Sequence, residues 1–442
     1  MTRQLKLGLF LQETGHHVAG WRHPQAPADA GRDFRHQAEL ARLAESAKFD
    51  LVFIQDSYAM RGINNPDALS GTARALTWDP ITALSALAMV TEHIGLVGTA
   101  TTTYNEPYTI ARQFACLDHI SAGRAGWNLV TSNNEAEALN FSRDIHAAHG
   151  DRYARASEFL DVVKGLWDTW EDDAFIDDKQ NGRLFDPAKL HPLNHRGDHF
   201  SVRGPLTVAR PPQGHPVLVQ AGSSETGKDL GARGADVIFT AQQHLADAQA
   251  FYTDMNRLIE KAGRRRGDLV IMPGLAPIVG KTRQEAEDKY AQLQEAVPTA
   301  VGLATLATTL GEVDLSAYPL DGPLPDLPPA NGPQSRRQLL IDLARRENLT
   351  IRQLYLRVVG ARGHLTLIGT AEDIADTMQT WLEEGAADGF NIMPAHFPVG
   401  LKDFVDLVVP ELQRRGLFRR EYSGRTLREH LGLSRPRHPN AE

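Results

Sequence analysis

The sequence contains a single cysteine, Cys116, among 442 residues. An internal disulfide is therefore excluded, and a chain of this length can bury enough core not to need one. No run approaches the ~18 apolar residues of a membrane-spanning helix; the longest, 81–90, is interrupted by Thr82 and Ser85. There is no surplus of positive charge either. Against 47 Lys and Arg stand 55 Asp and Glu, a net charge of −8 and the wrong sign for a protein that neutralises phosphate backbones. Residues 7–11 are apolar, but Gln12-Glu13 stand where a signal peptide needs its cleavage site. A cytoplasmic protein with no membrane or nucleic-acid partner is expected. Also missing are a Walker A motif, a GxGxxG opening a helix after the first strand, and an HExxH.

What is present is an ordinary globular composition, 42% hydrophobic and 23% charged. Length alone suggests up to three domains of ~150 residues, although an α/β barrel can pass ~250 residues as one unit. Short apolar runs rich in Val, Ile and Phe predict strands over 6–12, 49–56, 94–103, 125–132, 217–222, 235–242, 269–280 and 389–396. Amphipathic stretches lie between them: Leu40, Leu43, Ala44 and Ala47 share one helix face. Asp79-Pro80 reads as an N-cap and first helical residue, with Gly95 stopping that helix. Eight strand–helix alternations point to a (β/α)8 TIM barrel, with a doubly wound sheet as the alternative. Two stretches exceed a minimal barrel. Residues 171–216 lack periodicity. Residues 282–364 form a helical insertion before the last strand, with Thr282/Glu285 and Thr350/Gln353 spaced as capping boxes and a Pro-rich loop at 318–333. This insertion either covers the active-site face as a lid or serves structure or oligomerisation.

Barrel chemistry sits at the C-terminal ends of strands. Those positions hold Gln12, Asp56, Thr102, Thr103, Ser132, Gly222, Ser223, Ser224 and Gln242. Asp56 ends an apolar strand and either points into the mouth or caps the following segment. The run Thr101-Thr102-Thr103 suits a strand by its branching, and its hydroxyls equally suit a polar ligand. Ala221-Gly222-Ser223-Ser224 is sharper, since small residues end a strand and two hydroxyls open a helix. That is the pattern of an anion site for phosphate, or of a plain Ser-capped turn. His16 and His17, just past the first strand, either contact a reactive group or sit in a solvated loop. His191, His195 and His199 have metal-ligand spacing for a helix, but Pro192 and Gly197 argue against a helix there, and no metal site is expected. Cys116 lies in an apolar helix and reads as packing.

The segments 14–24 (TGHHVAGWRHP), 101–112 (TTTYNEPYTIAR), 123–132 (GRAGWNLVTS), 149–153 (HGDRY), 194–222 and 422–433 (YSGRTLREHLGL) follow one another over nearly the whole chain. Together they resemble the bacterial luciferase-like flavin monooxygenases, in the branch of the nitrilotriacetate, pristinamycin-IIA and dibenzothiophene-sulfone enzymes. The resemblance implies one luciferase-like barrel domain over 1–442, with reduced FMN at its mouth and O2 as co-substrate. The substrate would be a small organic molecule, organosulfur or aminopolycarboxylate among others, oxidised through a flavin C4a-hydroperoxide. Carried onto this chain, the FMN contacts fall on Asp56, Thr102 or Thr103, His149, Tyr153, Ser223 and Ser224. Tyr153 and the serines would hold the phosphate; His149 and Tyr153 rest on the resemblance alone. His16 or His17 would meet the peroxide or the substrate, and Phe10 and Tyr58 would line the substrate pocket. The resemblance further implies a separate NAD(P)H:flavin oxidoreductase as the source of reduced FMN, and a homodimer or dimer of dimers. Rival readings are an F420-dependent oxidoreductase on the same fold, a non-catalytic flavin-binding protein, and a phosphate-binding barrel lyase or hydrolase. A basic pocket would suit a polycarboxylate. Arg336-Arg337 and Arg345-Arg346 are candidates for it, or else line exposed helix faces.

Overall fold

Eight parallel strands curl into a closed ring. The computed structural model describes residues 3–311, 313–327 and 334–441, with backbone alone for 334–336. In chain order the strands are β1 (Lys6–Phe10), β2 (Leu51–Ile54), β3 (Gly95–Thr101), β4 (Ala125–Val130), β5 (Val217–Gln220), β6 (Val237–Thr240), β7 (Val270–Val279), β8 (Leu365–Gly369) and β9 (Gly389–Ile392). All but β8 form the barrel, in the order β1-β2-β3-β4-β5-β6-β7-β9. The ring is sealed where Val237 pairs with Val270, Gly274 with Asn391 and Lys6 with Gly389. This is the (β/α)8 barrel that the alternation predicts. The strand β8 is an addition to that expectation: it pairs only with the far half of β7, Leu275↔Leu365 through Val279↔Gly369, outside the ring.

The period-2 alternation of each strand separates two cores. Phe10, Phe53, Val97, Val219 and Met272 meet inside the barrel. Leu9, Val52, Leu96, Trp127 and Leu218, at alternate positions, pack outward against the helices. Local signals set the helix starts. Asp79 accepts from the Thr82 N–H at 2.7 Å and Pro80 opens the helix Pro80–Ala88. Gly95 does not stop that helix, which ends at Ala88; it opens β3, where a Cβ would lie 2.4 Å from Leu427.

Both surplus stretches carry secondary structure among the described residues. Residues 171–216 contain two small antiparallel pairs, Phe175–Asp178 with Arg183–Phe185 and His195–Arg196 with Ser201–Val202. The insertion holds α7 (Arg283–Glu295), α8 (Thr299–Thr309), α9 (Gln334–Glu347) and α10 (Ile351–Ala361), with a separate core around Leu306, Leu310, Leu340, Leu343, Ile351 and Leu354. Thr350 and Gln353 form a complete capping box. Thr282 caps α7, but Glu285 reaches the Lys281 N–H instead of closing a box. Residues 328–333 of the Pro-rich loop lie outside the described residues.

Beneath the ring, the short helix Leu427–Leu431 closes the floor. Leu427, Leu431 and Leu433 join the inner core, and Arg428 pairs with half-buried Asp236 at 2.7 Å while its Nε donates to the His215 carbonyl at 2.9 Å. Among the described residues no helix is long and apolar enough to cross a membrane.

Candidate active site

The C-terminal ends of the strands open onto one cavity of about 1510 Å³. Phe10, Phe53 and Phe239 form its base, with ring centroids 5.0–5.6 Å apart. Val301, Ala304 and Thr305 of α8 and Leu339 of α9 form a roof, so the insertion does cover this face.

One side of the cavity is a cradle. β5 ends at Gln220, and α5 (Glu225–Gly234) starts at Ser224, whose hydroxyl accepts from the Gly227 N–H at 3.2 Å. Between them Gly222 allows a close approach: a Cβ there would lie 2.3 Å from Gln220 Nε2 and 3.1 Å from both Tyr153 Oη and the Gly227 Cα. Tyr153 belongs to α4 (His149–Trp167), and its ring packs against His149 at 4.7 Å. Two serine hydroxyls, a phenol, an imidazole and the start of α5 thus line one side of the cavity. Such a group suits a phosphate.

A second polar feature lies deeper. Gln12, Asn128 and Gln220 line the cavity, and Gln12 Oε1, Asn128 Oδ1 and Gln220 Oε1 are buried without a hydrogen-bond partner among the described residues. A buried amide oxygen without a donor is costly. A heteroaromatic ring with N–H groups on its edge would satisfy those of Gln12 and Asn128, whereas Gln220 Oε1 faces α5, 3.2 Å from where a Cβ on Gly231 would lie. With the phosphate cradle alongside, these residues fit FMN. Sequence reasoning passed over Asn128 and Gln220, although a polar residue inside an otherwise apolar strand was a readable signal.

Acidic groups complete the wall. Asp56 Oδ1 accepts from the Ser57 N–H at 2.8 Å; burial, reinforced by the negative charges of Asp79 and Glu137, pushes its carboxyl up to about 7. Glu137 is buried and accepts from Ser57 at 2.8 Å and from Ser132 at 2.5 Å.

The structure brings Asp56, His149, Tyr153, Ser223, Ser224, Phe10 and Tyr58 to this one cavity. Other expected residues fall elsewhere. Thr102 and Thr103 are fully buried and off the cavity wall. Side chains alternate along β3, so Thr99 and Thr101 face inward, while the Thr102 hydroxyl donates to the Val130 carbonyl at 3.2 Å. His16 and His17 are neither solvated nor on the wall. The loop after β1 turns back into the protein and buries both, to 0% and 1% exposure. Burial drives His17 down to about 4, and burial with the neighbouring Arg362 and Arg74 charges holds His16 well below its ordinary range. His191 pairs with Glu171 and His195 with Glu158. Arg345 pairs with Asp326 and Arg346 with Glu347 on exposed faces; the Arg336 side chain lies outside the described residues.

Residues 14–389 match the family described as luciferase-like monooxygenase. The chain is 55% identical to nitrilotriacetate monooxygenase component A of Aminobacter aminovorans, covering 100% of this chain and 99% of that protein. It is 53% identical to N-acetyl-S-(2-succino)cysteine monooxygenase of Bacillus subtilis (strain 168), covering 98% of each. Among solved structures, a riboflavin lyase with modified FMN and riboflavin superposes with a TM-score of 0.87 at 31% identity, over 99% of this chain and 98% of that one.

Proposed function

The chain belongs to the luciferase-like monooxygenase family, and on that footing we propose that it is the oxygenase of a two-component system. It takes reduced FMN from a separate NAD(P)H:flavin oxidoreductase and, with O2, oxidises a small organic molecule. The observation that carries this reading is the close strand-to-helix turn at Gly222, bordered by Tyr153, Ser223 and Ser224 in a roofed cavity. The relative named component A supports a separate reductase, and the neighbour with modified FMN supports the flavin.

Reduced flavin supplies two electrons, with which one atom of O2 enters the substrate and the other leaves as water. The chain's residues bind and shield. Ser223, Ser224, Tyr153 and His149 hold the phosphate; Asp56, Gln12 and Asn128 meet polar atoms of the ring; Thr101, in place of Thr102 or Thr103, presents the strand-end hydroxyl. Phe10 and Tyr58 border the substrate. The insertion 282–364 acts as a lid that keeps water from the reaction; the support is that α8 already lines the cavity. The reading includes one barrel domain, a cytoplasmic location and a homodimer or dimer of dimers, as the family resemblance implies. The test is product formation under ¹⁸O₂ with a flavin reductase. One labelled oxygen in the product is expected, and hydride transfer from reduced F420 without O2 consumption would overturn the reading.

A further inference from the structure

Resting on that reading, we propose that the side of the cavity opposite the phosphate cradle is a carboxylate-binding subsite built from Arg74 and Arg362, and that the substrate is an organic carboxylate. The cradle follows β5 and the arginines gather over the end of β1, four strands away and so across the ring. Both arginines line the cavity, and both are fastened to His16. Arg74 donates to the His16 carbonyl, and its buried Nε has no hydrogen-bond partner among the described residues. Arg362 places Nη2 3.2 Å from His16 Nδ1 and Nη1 3.4 Å from Gln55 Oε1, with the guanidinium 5.6 Å from the Phe10 ring centroid.

The geometry assigns His16 its tautomer. Its Nε2 lies 2.9 Å from the Phe10 carbonyl, which only accepts, so Nε2 carries the proton and Nδ1 remains as the acceptor for Arg362. His16 is a positioning residue: a neutral strut between two cations. Arg362 meets the His16 ring and Arg74 its backbone carbonyl, so one residue seats both guanidinium groups on the cavity wall. The carboxyl acting on Arg74 is Glu13, which burial holds up to about 7, so it is not fully ionised near neutrality. Arg362 is the left-handed C-cap of α10, at φ 52°, with its N–H donating to the Val358 carbonyl. Planar guanidinium forks match carboxylate oxygens two at a time. Phe10 below and Val301 and Ala304 above leave room for a modest apolar body.

The experiment is calorimetric titration of the flavin-loaded protein, at fixed ionic strength, with di- and tricarboxylates from malonate to nitrilotriacetate, each beside its methyl ester. At least one acid is expected to bind about tenfold or more tighter than its ester, and Arg362→Met and Arg74→Met to remove about tenfold or more of that affinity. Arg362→Lys should retain part of it, His16→Ala should weaken it, and FMN affinity should stay within about threefold in the Arg362 variants. If Arg74→Met does not fold, the Arg362 pair decides alone. The proposal is overturned if every acid binds no better than its ester, or if folded Arg362→Met binds the acid as the parent does. Failure of the parent to bind FMN would instead defeat the monooxygenase reading, and the same comparison on flavin-free protein would still decide the subsite.

Discussion

Gly222 contributes by having no side chain. In Gly222→Ala the new Cβ would press on Gln220 Nε2, the Gly227 Cα and Tyr153 Oη at once. Overpacking of this kind costs roughly 1–3 kcal/mol, so FMN affinity should fall by about tenfold or more in a fluorescence titration; an unchanged affinity would remove the cradle from the flavin site. Asp56 offers a pH test. Its carboxyl holds a proton up to about 7 in the folded protein but only to about 4 in the unfolded chain. The folded state binds the extra proton in that window, so this group's contribution to stability falls as pH rises from about 4 to about 7. Asp56→Asn lacks the term, and its stability relative to the parent should rise between pH 5 and pH 8 in urea denaturation. At this scale the sequence was only partly legible. Asp56 and the serines stood out because each ends an apolar run. Thr101 was confused with Thr102 because a strand end can be misjudged by one residue, and that reverses the side chain's face. His16 and His17 misled because nothing local reveals that a loop folds inward.

Secondary-structure elements show a similar division. The eight barrel strands were readable because inner and outer cores both demand apolar residues, giving near-continuous hydrophobic runs. β8 escaped because the short run Leu365–Gly369 falls between the insertion at 282–364 and the next helix, with eight strands already assigned elsewhere. The small pairs within 171–216 escaped because their residues are largely exposed and carry no alternation. The N-caps Asp79, Thr282 and Thr350, by contrast, were legible to the residue, although Glu285 does not close its box. Thr350→Ala should cost about 0.5–2 kcal/mol by removing one half of the box at α10. Because α10 leads into Arg362, hydrogen exchange over 351–361 should quicken, while that of β1–β4 stays as it is. If the insertion is a lid, exchange over α8 should slow when FMN and a substrate are both present; no change would leave it a fixed wall.

The molecule as a whole depends on its floor. Half-buried Asp236 pairs with buried Arg428, and removing one partner of a fully buried pair typically costs about 3–5 kcal/mol, an upper bound here. Arg428→Met should show a loss within that bound in urea denaturation, and adding Asp236→Asn should recover part of it. The same arrangement bears on how the protein is made. β1 is the first stave synthesised, its neighbour β9 is the last, and the plug at 427–433 follows both. At about 5–20 residues per second, a nascent chain spends on the order of tens of seconds on the ribosome with two sheet edges unpaired. Its yield in a cell therefore rests on whatever shields those edges until the ring can shut.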